Sequence, residues 1–369
     1  MATRERVLVG RRSALRHLLA PAQLKQTLAV GKPPSLRNSA LAGLQAALVI
    51  GIALPLVLSS PWAHLVGFAA LGALPALFGR FHPPAERGHI VAQCGLWQTV
   101  AVGSMAAVVR LGAGQSALLV ALAVACGCFY FVASTLRPGP PGALIFIFAA
   151  GAGMVPAPTW RAVFEHAGAT AIVSALSWLV CIATERWRQR ATPEKTFPIE
   201  AAQAFPRRLR ASARVAFGAG LAASLAHAIG AAHPAWAAMG TVAVMQGVHL
   251  QVNMNRALQR MLGTVVGAGI VWLILSSEPS AWTVIASVAV FQFLTEVVIG
   301  YNYALGQVLV TPMALLMSYL AAPPGTAGAS MAGERILDTV IGATLGLVLA
   351  VIASNVEDRV HLVHRRRGS

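Results

Sequence analysis

Three groups of residues in this 369-residue chain have types and spacings that could do chemistry. Arg256 and Arg260 are four apart and share one helical face, and Arg87 occupies the matching place earlier in the chain. Such arginines either form a cationic mouth that concentrates organic anions or snorkel to lipid headgroups as anchors. The second group is acidic. Glu296 stands in the apolar run VFQFLTEVVIG, and Asp338 lies within a turn of Arg335. A carboxylate inside a membrane segment is a functional candidate by default. Glu296 reads as a proton-coupling acid or a solvated acid at a span end, and Asp338 as a coupling acid or half of a structural ion pair. The third group is YNYALGQVLVTPMALL, which gathers Tyr301, Asn302, Tyr303, Gln307, Thr311 and Pro312. Tyr and Asn donors suit a carboxylate, and a proline frees a backbone carbonyl one turn back. Trp236 is either an aromatic substrate contact or an interfacial anchor.

Several chemistries have no support. His64, His227, His233 and His249 lack metal-ligand spacing, and Cys94, Cys126, Cys128 and Cys181 all sit in apolar runs as small hydrophobes. There is no P-loop and no convincing nucleophile–base pair. Neither a metal nor a cofactor is expected, and an enzyme is not the reading.

The elements that must position these residues are transmembrane helices. Hydrophobic residues make up 57% of the chain and charged ones 11%, more apolar surface than a soluble core can hide. A span needs about 20 apolar residues. Segments of that kind fall near 39–59, 63–80, 90–110, 114–134, 141–156 and 162–184. Six more fall near 211–231, 234–250, 260–277, 280–301, 304–321 and 336–355. The fold expected is an all-α polytopic membrane protein of about 12 transmembrane helices. The number drops to ten if the Pro/Gly-rich segments 141–156 and 304–321 dip in and return.

The formal charge of +16 sits between and beside the apolar runs rather than on a soluble face, so it sets topology, not nucleic-acid binding. With both termini cytoplasmic, only Arg110, Arg161 and Arg335 of 28 Lys and Arg fall outside. The N-terminal basic segment 1–36 reads as an amphipathic helix on the inner leaflet or as a disordered tail. No cleavable signal peptide is apparent. The linker 185–207 separates a first membrane unit, 37–184, from a second, 208–355, and a basic tail spans 356–369.

The two units look alike. Trp62 and Trp236 are 174 residues apart, as are Arg161 and Arg335, and Gly168-Ala169-Thr170 and Gly342-Ala343-Thr344. Arg87 and Arg260 are 173 apart. Six spans in each unit make these parallel repeats, with a functional cavity expected at their interface.

HPAWAAMGTVAVMQ, NRALQRMLGTVVGAGI and ERILDTVIGATLG resemble the hallmark sequence of the fusaric acid resistance family of membrane transporters. The match lies on Trp236, on Arg256 and Arg260 before Gly263-Thr264-x-x-Gly267, and on Arg335-x-x-Asp338-Thr339-x-x-Gly342. It covers about 205–355 and, more weakly, the first half. The membrane part is also similar to that of plant aluminium-activated malate transporters. The resemblance implies an exporter of small organic anions such as aromatic carboxylic acids; with no nucleotide site in the sequence, the proton gradient of a bacterial inner membrane is the default energy source. A passive anion channel is the alternative, followed by an envelope enzyme or scaffold. The implied partners are the anion, the lipid bilayer and, at the outer face, a periplasmic protein. The oligomeric state stays open. Unlike larger members, this chain has no long cytoplasmic domain between its halves.

Overall fold

The computed structural model describes residues 27, 29–247, 250–322 and 328–352. Most of the basic segment 1–36, and all of the tail 356–369, lie outside the described residues. Among the described residues twelve α-helices follow one another: α1 Leu36–Leu58, α2 Val66–Leu71, α3 Pro84–Arg110, α4 Gln115–Leu136, α5 Leu144–Ala152 and α6 Trp160–Ala183. Then come α7 Phe205–Ala228, α8 Pro234–Met245, α9 Leu250–Ser276, α10 Ala281–Val298, α11 Tyr303–Ala321 and α12 Met331–Ile352. Their starts are written in the sequence. The Ser35, Thr159 and Ser280 hydroxyls accept from backbone N–H groups three residues on, and Pro84 and Pro234 sit where a missing N–H costs nothing.

Among the described residues eight helices (α1, α3, α4, α6 and α9 to α12) are long and apolar enough to cross a bilayer. The four other expected spans depart from that standard for visible reasons. Segment 63–80 breaks into the 3-10 turns Ala63–Leu65 and Leu74–Leu77 around the six-residue α2. In 141–156 only nine residues are helical, after the Pro/Gly run. Helix α7 has the length, but opens on Phe-Pro-Arg-Arg-Leu-Arg. Helix α8 has 12 residues, about 18 Å at 1.5 Å per residue. Segment 304–321 does not dip and return. It is the continuous 19-residue α11, with Pro312 inside it.

The helices pack across the two halves as well as within them. Helix α1 lies along α10, and α4 along α7. Helix α3 packs on α6 and α5, while α9 packs on α12 and α11. Helix α8 packs on α12 and α7, and the broken α2 segment on α6 and α1. Outward faces are apolar: Leu44, Leu48, Ile52 and Leu56 form an exposed row on α1, and Leu262, Val265, Val266 and Leu273 one on α9. Polar side chains such as Gln98, Gln292, Arg87 and Asp338 are buried. This inversion belongs to a multi-pass protein whose solvent is lipid.

The glycines of the GTVVG and IGATLG stretches serve close approach. A Cβ on Gly267 would stand 2.6 Å from the Val308 carbonyl oxygen and 3.1 Å from Pro312 Cδ. That carbonyl is the one Pro312 cannot satisfy, since proline lacks the N–H that would reach back four residues. Gly342 likewise lets α12 press against the Ala237 backbone of α8. Gly267→Val is therefore expected to overpack α9 against α11 and cost about 1–3 kcal/mol. Gly269→Val, where the added atom meets nothing within 4 Å, serves as control. Thermal unfolding in detergent compares the two, and equal melting points would refute the close-packing role.

Candidate functional site

Two polar interiors form, and they differ in how well their charges are matched. The first lies where α1, α3 and the start of the linker meet. Arg87 is almost fully buried. It donates to Gln45 Oε1 at 2.6 Å, to Glu185 Oε2 at 3.2 Å and to the Ala76 carbonyl at 3.3 Å. Gln45 donates on to Thr184 at 2.6 Å. Arg87 thus has its charge met by Glu185 and both terminal nitrogens directed to protein atoms, while its Nε has no partner; a charge matched in this way is a structural tie.

Glu296 is likewise tied. Its carboxylate forms a buried ion pair with Arg80, which also donates to the Leu77 carbonyl at 3.2 Å. The sequence hides this partner because it lies 216 residues away. The pair joins α10 of the second half to the turn after the broken α2 segment of the first.

The second interior lies among α8, α9, α11 and α12. Arg260 on α9 is 3% exposed; its Nη1 donates to the Tyr303 hydroxyl at 3.3 Å and to Gln307 Oε1 at 3.5 Å. Tyr303, Gln307 and Thr311 are each four apart, so α11 turns one polar stripe toward α9. The Thr311 hydroxyl donates to the Gln307 carbonyl at 2.9 Å and lies 3.5 Å from the Thr264 hydroxyl. On α12, Arg335 is 3% exposed and Asp338 fully buried. Arg335 stands within electrostatic reach of Arg260, Asp338 and Tyr303. Its Nε and Nη1 have no hydrogen-bond partner, nor does either Asp338 oxygen, nor the Thr339 hydroxyl. No hydrogen bond closes the Arg335–Asp338 pair, although the two residues share a helix turn.

The end of this interior beside the start of α12 is roofed by aromatic stacking. The Arg335 guanidinium lies 5.1 Å from the centre of the Trp236 ring. His233 stacks on the same ring at 4.1 Å, with 10° between planes, and its Nδ1 lies 2.7 Å from Glu334 Oε2. Trp62, which the repeat pairs with Trp236, is instead exposed.

Of the residues singled out by sequence, Arg260, Tyr303, Thr311, Trp236 and Asp338 thus surround one interior. Arg256, one turn before Arg260, is half-buried and lies nearer Tyr130 and Arg214. Asn302 is used as a fastener: its Oδ1 caps α11 by accepting from Ala304 N at 2.7 Å, and its Nδ2 donates to the Thr27 and Ala29 carbonyls at 3.2 and 2.9 Å. Tyr301 accepts from Gly31 N at 2.8 Å through its backbone carbonyl. Sequence reasoning undervalued Arg335, which had been read through its neighbour Asp338, and Gln307. The four-residue spacing of 303, 307 and 311 was the available signal for Gln307.

Residues 221–349 match the family described as fusaric acid resistance protein-like. A stretch of 121 residues is 32% identical to the uncharacterized membrane protein YvaC of Bacillus subtilis (strain 168), covering 33% of this chain and 19% of that one. The chain thus spans about a fifth of that curated relative's length. No solved structure matches. All members of the second interior fall inside the family match, while Arg80 and Arg87 fall outside it.

Removing one partner of a buried ion pair strands the other charge and costs about 3–5 kcal/mol. Glu296→Leu is expected to destabilise the protein by that amount, and the double change Arg80→Met with Glu296→Leu to regain most of it. Unfolding of detergent-solubilised protein reads both, and a single variant as stable as the wild type would remove the pair's structural role.

Proposed function

We propose that this chain, a fusaric acid resistance-like membrane protein in its second half, carries small organic anions through the interior bounded by Arg260, Arg335 and Asp338. One observation carries the reading. Two buried guanidinium groups, Arg260 and Arg335, act on each other there, and Arg335 has one buried carboxylate, Asp338, Glu334 being paired with His233; this leaves one positive charge in surroundings where an unmatched charge is costly. A substrate carboxylate arriving between the arginines supplies the missing negative charge and accepts from the unpartnered Arg335 N–H groups. The Trp236 ring beside Arg335 offers an aromatic body a face to stack on. Aromatic carboxylic acids fit both features.

Asp338 is the coupling acid of this reading, because Glu296 is already held by Arg80. Its carboxylate competes with the substrate for Arg335, so a proton on Asp338 releases the guanidinium to the incoming anion. Each ligand favours the other, and anion and proton load on the same leg of the cycle. The anion moving alone gains about 2.3 kcal/mol per 100 mV when it leaves a negative interior; moving with its proton, it is indifferent to the potential. With the linker end, rich in Arg and Lys, facing inward, export of the acid with its proton runs down the acid's own gradient, because an inward proton gradient opposes a proton leaving with the anion.

The same reading takes the two halves as parallel six-segment repeats with twelve passages, of which the short and charged ones are shielded by protein. The helix partnerships support it: α1 on α10 is matched by α4 on α7, α3 on α6 by α9 on α12, and α3 on α5 by α9 on α11. The polar interior lies inside the second repeat rather than at the seam between repeats.

Flux of benzoate in proteoliposomes tests the reading. Wild-type protein is expected to carry it faster when the loading side is acidic. Arg260→Gln and Arg335→Gln are expected to slow it about ten- to hundredfold, the worth of a charged hydrogen bond. Asp338→Asn is expected to abolish the pH response while anion flux persists. A pH response intact in Asp338→Asn removes that residue from coupling. Arginine variants that carry benzoate at the wild-type rate overturn the site, and conductance without pH response makes the protein a channel.

A further inference from the structure

A second polar space lies at the linker end of the bundle, between α4 of the first half and α7, α8 and α9 of the second. It encloses about 190 Å³, room for roughly six water molecules at about 30 Å³ each, and so for an acid built on one six-membered ring. Its walls are of two kinds. Arg214, Tyr130, Gln246 and Asn253 supply polar groups, and Val215 and Leu250 supply apolar surface. Asn253 is 7% exposed, and its Oδ1 has no hydrogen-bond partner; Gln246 Nε2 has none either. Two side-chain amides lining one space with unmet polar atoms are costly unless something occupies it.

The charge around this space has one sign in excess. Among the described residues, Arg214 and Arg256 act on the Tyr130 hydroxyl and Glu200 of the linker acts against them. Glu200 is held over this end through its carbonyl, which accepts from Arg137 at 3.2 Å. Arg256 is on α9 one turn before Arg260, so the space and the buried interior adjoin along one helix.

We infer that this cavity is a separate entry site for an amphipathic organic acid, which sets its carboxylate on Arg214 and its apolar body against Val215 and Leu250. The inference rests on the anion reading above for the ligand's class, but not on transport taking place. Arg256 then passes the acid toward Arg260. A purely inorganic anion would leave the apolar wall unused, so ring-bearing acids are held better than acetate.

The test uses the full chain in nanodiscs, with radiolabelled benzoate as probe and acetate as competitor, beside benzoate flux in proteoliposomes. Arg214→Gln changes an exposed side chain and leaves folding intact by size-exclusion chromatography; Asn253→Leu is the second variant. Arg214→Gln is expected to weaken benzoate binding about fivefold, the upper range for a partly exposed charge pair, and to raise KM with kcat unchanged. Arg260→Gln is expected to slow flux about ten- to hundredfold yet keep the Arg214-dependent binding. That binding without wild-type flux would remove the transport reading and leave the entry site standing. Benzoate binding unaltered in both Arg214→Gln and Asn253→Leu, or displaced as well by acetate as by benzoate, overturns the entry site.

Discussion

Lipid offers no hydrogen bonds, so every polar group in this bundle must find its partner within the protein. The rest of the structure follows from how unevenly that demand is met. In the first half atoms such as Arg87 Nε and Gln98 Oε1 also go unmet, but the buried charges of Arg80 and Arg87 each have a carboxylate. Arg87 is enclosed by Gln45, Glu185 and a backbone carbonyl, and Arg80 by Glu296 and the turn it leaves. Such groups hold helices in register and have little capacity left for a guest. In the second half Arg335, Asp338 and Thr339 keep unmet atoms in complete burial. A natural protein retains such a deficit where a ligand relieves it, as at other sites whose chemistry is kept at the expense of stability.

Much of this was legible in the sequence. Composition fixes the class, and the apolar periods find the helices, because burial in lipid is a property of single segments. The site was legible in part. Arg260, Tyr303, Thr311, Trp236 and Asp338 could be picked out because a polar residue in an apolar run is rare and its helical spacing is known. Partners could not. Glu296 looked unpaired because Arg80 is far off in the chain, and Asn302 looked like a ligand because its bonds go to Thr27 and Ala29 at the other end.

The count of spans shows a different limit. Hydropathy sees apolar length but not whether a segment crosses alone. Helix α8 is short, yet Ala237 and Val242 are wholly buried, and its neighbours α7 and α12 cover it. A short helix wrapped by protein needs no bilayer-matched length. The Pro/Gly-rich segment 304–321 allows a dip and return by sequence, yet α11 continues past Pro312, with Gly267 of α9 close to the freed Val308 carbonyl.

The bonds from Asn302 to the chain ahead of α1 bear on how the protein is made. Thr27 and Asn302 are 275 residues apart, and at about 5–20 residues per second a ribosome needs roughly 14–55 s to travel from one to the other. Asn255 and Gln259 of α9 reach Thr27 sooner, so the turn at Asn302 completes a fastening that α9 begins while other helices are already entering the bilayer. This part of the polypeptide is therefore secured in stages by the second half of the chain. A nascent chain stalled between α9 and that turn would lack the Asn302 bonds to Thr27 and Ala29.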